Sequence, residues 1–293
     1  MKVGLNMWAF APDDSIETAM QTVRDAGFDG VELNLGRIGW VTERTSNEEL
    51  DRVRELAEKN HLEIPSVCSS LYWKYALTSD CEEDRKKAVE NLRLQIRIAN
   101  RLGAHAILSI PGFVGCDFSI DKLFRGVDEL QSSLQNQVVD YSVAYERAKR
   151  SLLEVADEAN RCNVHVCLEN VGNRFLLSPL EMKRFLADLK DPAFLSYFDV
   201  GNIHAIGYPE HWIRALGDRI GMIHIKDFDK RCGEFVKIGS GSLNLSSVIV
   251  ELKRVKYDGW LIAEYIDPLC WRKENYLLDT ANHIKKTIRG GLL

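Results

Sequence analysis

Four short stretches in the second half of the chain carry the residues best suited to chemistry: LEN at 168–170, FDVGN at 198–202, IHIKD at 223–227 and AEY at 263–265. Each sits where an apolar, strand-like run stops. Each delivers one oxygen or nitrogen ligand at that stop, namely Glu169, Asp199, His224 and Glu264. Two glutamates, one aspartate and one histidine make a mostly hard-oxygen donor set. Such a set suits one divalent metal ion, Mn²⁺, Co²⁺ or Mg²⁺, and tolerates Zn²⁺. Three buried carboxylates would repel one another strongly without a cation, and a metal resolves that repulsion. Each residue also has a plainer use. A glutamate after a strand is often a cap or a surface residue, Asp199 could cap the turn made by Gly201, and His224 could be a hydrogen-bonded core histidine. The four together, at successive strand ends, point to a metal centre.

The elements that must position them alternate from end to end. Strand-like runs are VGLNM (3–7), GVELNL (30–35), LEIPSVCS (62–69), HAILSI (105–110), VHVCLE (164–169), FLSYFDV (194–200), GMIHIKD (221–227) and 259–264. Pro65 sits awkwardly inside the third, because proline cannot donate to a ladder. Helical patterns cover 15–26, 47–60, 81–102, 141–162, a stretch from Ser178-Pro179, a short piece from Pro209 to Gly217, 245–255 and 272–288. In the 81–102 segment Leu92, Ile96, Ala99 and Leu102 form an apolar stripe at helical spacing. The long connection 111–137 reads as a lid or binding loop holding one short helix around 119–134.

Strands alternating with helices imply a parallel α/β sheet. Eight such units in 293 residues imply a closed (β/α)₈ TIM barrel, a single domain over 1–293, rather than an open doubly wound sheet. No GxGxxG follows the first strand, as an open nucleotide-binding sheet would normally carry. Catalytic groups of such barrels lie at the C-terminal ends of the strands. Those ends offer Asn6 and Trp8, then Glu32 and Asn34, Cys68 and Ser69, and Ser109 and Pro111, before the four ligand candidates. Because these four fall on strands five to eight, consecutive in barrel order, their side chains can converge on one point.

The bulk numbers exclude other classes. The net charge of −5 lacks the basic bias of a nucleic-acid surface. No stretch approaches the length of a membrane span, and the MKVGLNMWAF start reads as a first strand rather than a leader. Seven cysteines with no CxxC pair read as reduced thiols of a cytoplasmic protein.

The chain as a whole resembles the xylose isomerase-like TIM barrels, in particular their sugar phosphate isomerase/epimerase branch, which holds ketose 3-epimerases, L-ribulose- or L-xylulose-phosphate 3-epimerases and hydroxypyruvate isomerase. The resemblance rests on AGFDGVEL (26–33), the Glu of LEN, YFDVGN (197–202), IHIKD (223–227), KIGSGSLN (237–244) and YDGWLIAEY (257–265) in combination. It implies that Glu169, Asp199, His224 and Glu264 coordinate one divalent ion and that Glu169 and Glu264 also handle protons. The implied activity is a metal-dependent isomerase or epimerase acting on a small-molecule sugar or sugar phosphate. In that chemistry the metal bridges a carbonyl and a neighbouring hydroxyl oxygen and stabilises an enediolate. Two carboxylates then take a proton from one face and return one to the other. An inosose-type dehydratase uses the same metal and enolate and is the alternative within the family. Endonuclease IV-like members would need more histidines and a basic face, and a non-catalytic sugar-binding protein need not keep two opposed glutamates. A homo-oligomer is compatible with the resemblance; a nucleic-acid or membrane partner is not expected.

The departures matter. Ketose 3-epimerases carry another glutamate six residues after the strand-five ligand, and here that position is Phe175. Three residues after the strand-six aspartate they often carry histidine; this chain has Asn202, with His204 two further on. The DVGN version is commoner among phosphosugar members, so no particular free ketohexose is implied. Asn202, His204 and Glu32 are expected to contact substrate. Lys226, Lys230 and Arg231 offer positive charge near the mouth, with Lys230 or Arg231 as a substrate-oxygen or phosphate contact or else as solvated charges. Trp8 and Trp73 are expected to wall the pocket, since aromatic rings pack on sugar C–H faces. His211 is expected on the surface.

Overall fold

The computed structural model of the chain describes residues 1–115, 138–265 and 275–290. Its eight barrel strands are β1 (Lys2–Asn6), β2 (Gly30–Gly36), β3 (Ser66–Ser69), β4 (Ala106–Ser109), β5 (His165–Glu169), β6 (Phe194–Asp199), β7 (Ile220–Ile225) and β8 (Trp260–Ala263). Each pairs in parallel with the next. The ring closes because β1 pairs with β8 through Leu5 and Ala263, and with β2 through Asn6 and Glu32. Closure explains the near-continuous apolar character of these strands: one face fills the barrel and the other lies under helices. The predicted stripe of Leu92, Ile96, Ala99 and Leu102 is buried on helix Glu82–Leu102. Among the described residues no helix is long and apolar enough to cross a membrane.

Closure requires close approach at Gly30. A Cβ there would fall 2.5 Å from the Glu63 carbonyl oxygen and 2.8 Å from the Trp260 ring. Gly30→Ala must therefore move backbone, and is expected to destabilise by about 1–3 kcal/mol, as overpacked sites do. A lower denaturant midpoint at unchanged slope would show it; an unshifted midpoint would mean that the contact is soft.

Several expectations need correction. The third strand begins at Ser66, after Pro65; proline's missing N–H keeps it out of the ladder. The 141–162 helix is two, Tyr141–Leu153 and Ala156–Cys162. Neither Gly nor Pro marks the break. Instead Arg93, from a neighbouring helix, donates to the Glu154 carbonyl at 2.8 Å, satisfying an oxygen freed from the helical ladder. A helix at Val200–Ile206 follows β6 directly, and Asp227–Asp229 forms a hairpin with Glu234–Val236. The sequence reads both as strand end and loop. The expected helix around 119–134 and the expected start of the last helix at 272 lie outside the described residues; the described helix is Tyr276–Gly290.

Candidate metal centre

Glu32 on β2 meets Asn6 of β1, Ser66 of β3, Tyr197 of β6 and His224 of β7. Side chains from strands spread around the ring can meet only inside it. Strand alternation then carries Asp199, two residues after Tyr197, and Lys226, two after His224, to the same interior. Glu169 ends β5 and Glu264 stands one residue beyond β8. The sequence-predicted four are thus brought together: one ligand atom from each of Glu169, Asp199, His224 and Glu264 lies within 4.8 Å of the others, and all four residues are buried.

His224 Nδ1 faces the cluster, 2.8 Å from Glu264 Oε2, 3.6 Å from Glu169 Oε1 and 3.8 Å from Asp199 Oδ2. Its other nitrogen, Nε2, lies 2.7 Å from Glu32 Oε2. An Nε2–H donated to that carboxylate leaves the Nδ1 lone pair for a metal, the usual carboxylate–histidine–metal relay. Asp199 divides its oxygens. Oδ1 accepts from the Asn202 amide at 2.6 Å and caps helix Val200–Ile206, so its plainer use is real as well. Oδ2 faces the cluster. Asp199 Oδ2, His224 Nδ1 and Glu264 Oε2 are buried with no hydrogen-bond partner among the described residues. Two carboxylate oxygens and an imidazole nitrogen around one point fit a cation, and the hard-oxygen donor set fits a divalent one.

One cation of the chain's own reaches this cluster. Lys226 Nζ lies 3.0 Å from Asp199 Oδ2 and 2.8 Å from Glu264 Oε2. Both contacts are ion pairs to buried oxygens. Gly201 makes the approach feasible, since a Cβ there would fall 2.4 Å from Lys226 Cβ.

The charges pull the carboxyls apart. Burial pushes Glu169 up to about 7, against the opposing pull of His224 and Lys226. Burial would raise Glu264 too, but the Lys226 and His224 charges outweigh it and hold that carboxyl well below the usual range. Asp199 is raised by burial. His224 is held well above its ordinary value, because Glu264 and Glu32 overcome the burial that would lower it. Burial, then the nearby glutamates, pushes the Cys68 thiol well up, so it stays protonated beside the cluster.

A cation binding at Nδ1 must therefore displace a proton from His224, and one binding Glu169 competes with a carboxyl titrating at about 7. Raised pKa values mean that protons win at low pH. Mn²⁺ affinity is expected to weaken steadily from about pH 8 to about pH 6, with at least about one proton released per ion. Calorimetry in two buffers of different ionisation enthalpy measures that release. Affinity flat across the window would contradict this electrostatic account.

The other expected residues divide. Glu32 is fully buried behind His224, with its hydrogen-bond partners inside the barrel. Asn202 donates to the Asn170 carbonyl at 3.0 Å, while Asn170 bonds the Asp199 backbone twice; together they lock the ends of β5 and β6. His204 Nε2 lies 3.0 Å from Ser242 Oγ and ties its helix to the loop after the hairpin. Arg231 is exposed and held by Asp229 at 2.8 Å, and Lys230 lies over the Tyr208 ring. Trp73 is buried against Phe113, whereas Trp8 stays partly exposed just beyond β1. His211 is on the surface, as expected. Sequence reasoning missed Tyr197, Ser66, Asn170 and the inward aim of Lys226. For Tyr197 and Lys226 the signal was present, since each is two residues from a ligand on a strand.

Residues 20–287 match the family described as Xylose isomerase-like TIM barrel. A putative L-ribulose-5-phosphate 3-epimerase, SgbU of Escherichia coli (strain K12), is 26% identical over 278 residues, covering 90% of this chain and 88% of that protein. The L-ribulose-5-phosphate 3-epimerase UlaE of Salmonella paratyphi C (strain RKS4594) is 23% identical over 261 residues, covering 84% and 80%. The crystal structure of a D-psicose 3-epimerase in the presence of D-fructose shares the fold, with a TM-score of 0.77 over 100% of this chain and 99% of that one at 17% identity.

Proposed function

The chain belongs to the xylose isomerase-like TIM barrel family, and on that premise we propose that it is a divalent-metal-dependent isomerase acting on a ketose or ketose phosphate, inverting the carbon next to the carbonyl. The observation that carries this reading is the pair of buried glutamates. Glu169 and Glu264 enter one cluster from β5 and from beyond β8, with their carboxyls driven in opposite directions, one up to about 7 and one well down. Environments that push two carboxyls apart mark an acid and a base. In this reading one glutamate takes a proton and the other returns one, on opposite sides of the substrate. A divalent ion held by Glu169, Asp199, His224 and Glu264, of which Mn²⁺, Co²⁺ and Mg²⁺ suit the donors best, would supply Lewis-acid stabilisation of the charge developing on the substrate's oxygens. Glu32 keeps His224 in one tautomer, and the Asn170–Asn202 pair keeps Asp199 in place. Trp8, partly exposed just beyond β1, serves as a wall against the sugar's C–H face. The phosphate comes into the reading from the names of the two epimerase relatives.

Proton exchange into D₂O, followed by NMR on a panel of ketoses and ketose phosphates with Mn²⁺ and then with chelator, is the test. Metal-dependent exchange at carbon 3, abolished when Glu169 and Glu264 are both replaced by Gln, is the expected result. Exchange at carbons 1 or 2 would instead assign aldose–ketose isomerisation. No exchange on any sugar with Mn²⁺ bound would overturn the reading.

A further inference from the structure

Lys226 enters the cluster as neither one of the four proposed metal ligands nor a carrier of the transferred proton. Its side chain is 10% exposed, and its ammonium faces one oxygen of Asp199 and one of Glu264, two of the proposed metal ligands. Its stem is seated against Gly201 and its ammonium lies 5.7 Å from the Phe235 ring centre, so packing on both sides aims the charge inward. Four carboxylates, those of Glu32, Glu169, Asp199 and Glu264, gather in this buried volume, and their cationic neighbours among the described residues are His224 and Lys226. Buried like charges repel strongly, and an opposite charge within a few ångströms relieves them. A dication arriving at the same oxygens would meet the ammonium as a like charge, in an interior where such repulsion is poorly screened.

We propose that Lys226 is the built-in counter-charge of the metal centre: it holds the ligand carboxylates together without the metal and opposes the metal once bound. It thus stabilises the metal-free fold and weakens metal affinity, leaving a site that releases its ion readily. This rests on the reading of the cluster as a metal site.

The two effects have opposite signs, which separates them from a merely structural role. Lys226→Met is expected to lower the melting temperature of chelator-treated protein, yet to bind Mn²⁺ on the order of tenfold tighter or more. Lys226→Arg, which keeps the charge, is expected to stay near the parent protein in both measurements. Lys226→Gln carries the same expectation as Lys226→Met, so a misfolded Met variant leaves the test standing. Binding to the Met or Gln variant no tighter than to the parent overturns the inference, as does an Arg variant that behaves like Met. Failure of the parent protein to bind Mn²⁺ overturns the metal site itself, a result distinguishable from the others.

Discussion

Glu264→Gln is expected to lower turnover on a ketose phosphate by roughly 10²–10⁴-fold, the range for loss of a positioned acid or base. The substitution keeps the side chain's shape and one neutral oxygen donor. It removes the carboxylate that His224 Nδ1 and Lys226 Nζ both approach at 2.8 Å. Those two charges hold Glu264 ionised inside the barrel, and glutamine has no carboxylate with which to take a proton. The variant also tests the two-sided mechanism. With Glu169 still present, one epimer should keep exchanging its proton with solvent without being inverted, and the other epimer should lose exchange. Glu169→Gln should show the mirror pattern. Bound Mn²⁺ must be measured in each variant, so that a lost ion is not mistaken for a lost base. Equal loss of exchange from both epimers in each single variant, with Mn²⁺ still bound, would argue for one base serving both faces.

Glu32→Gln is expected to weaken Mn²⁺ binding about 10–100-fold without touching the substrate, as loss of a ligand's supporting carboxylate does. Glu32 accepts from four groups: Asn6 Nδ2 at 2.6 Å, Ser66 Oγ at 2.6 Å, His224 Nε2 at 2.7 Å and the Tyr197 hydroxyl. Glutamine offers one acceptor oxygen and an NH₂ that can only donate, so donors on one side lose their partner. The site is fully buried and water cannot take over. Breaking such a network should also cost about 3–5 kcal/mol of stability. The signature is a weaker ion with KM for substrate near the parent value once Mn²⁺ is saturating. Unchanged Mn²⁺ affinity would show that His224 needs no support from behind.

Most of the architecture is readable along the chain. A (β/α)₈ barrel announces itself as eight apolar runs alternating with amphipathic helices, and both signals are local. The four-residue cluster was legible for a related reason. Glu169, Asp199, His224 and Glu264 are polar residues at or near the ends of apolar strands, and closing a parallel barrel brings such ends to one rim. The helix at Val200–Ile206 was hidden because DVGN reads equally as a strand end or as a cap, and Asp199 is both. The break at Glu154 was hidden because neither Gly nor Pro marks it and the Arg93 that bonds its carbonyl stands on another helix.

What the sequence by itself determined, then, is the order of elements and the four residues offered at the strand ends, since both depend on backbone periodicity and on polarity within a few positions. What only the tertiary structure decided is the work of each charged residue around them. Glu32 and His224 are 192 residues apart and face each other because the barrel closes. Lys226 turns to the ligands while Arg231, five positions on, turns to Asp229 and solvent, because the strand has by then given way to a hairpin. Charge acts through space over a few ångströms, and spacing along a chain carries no record of which charges will come that close.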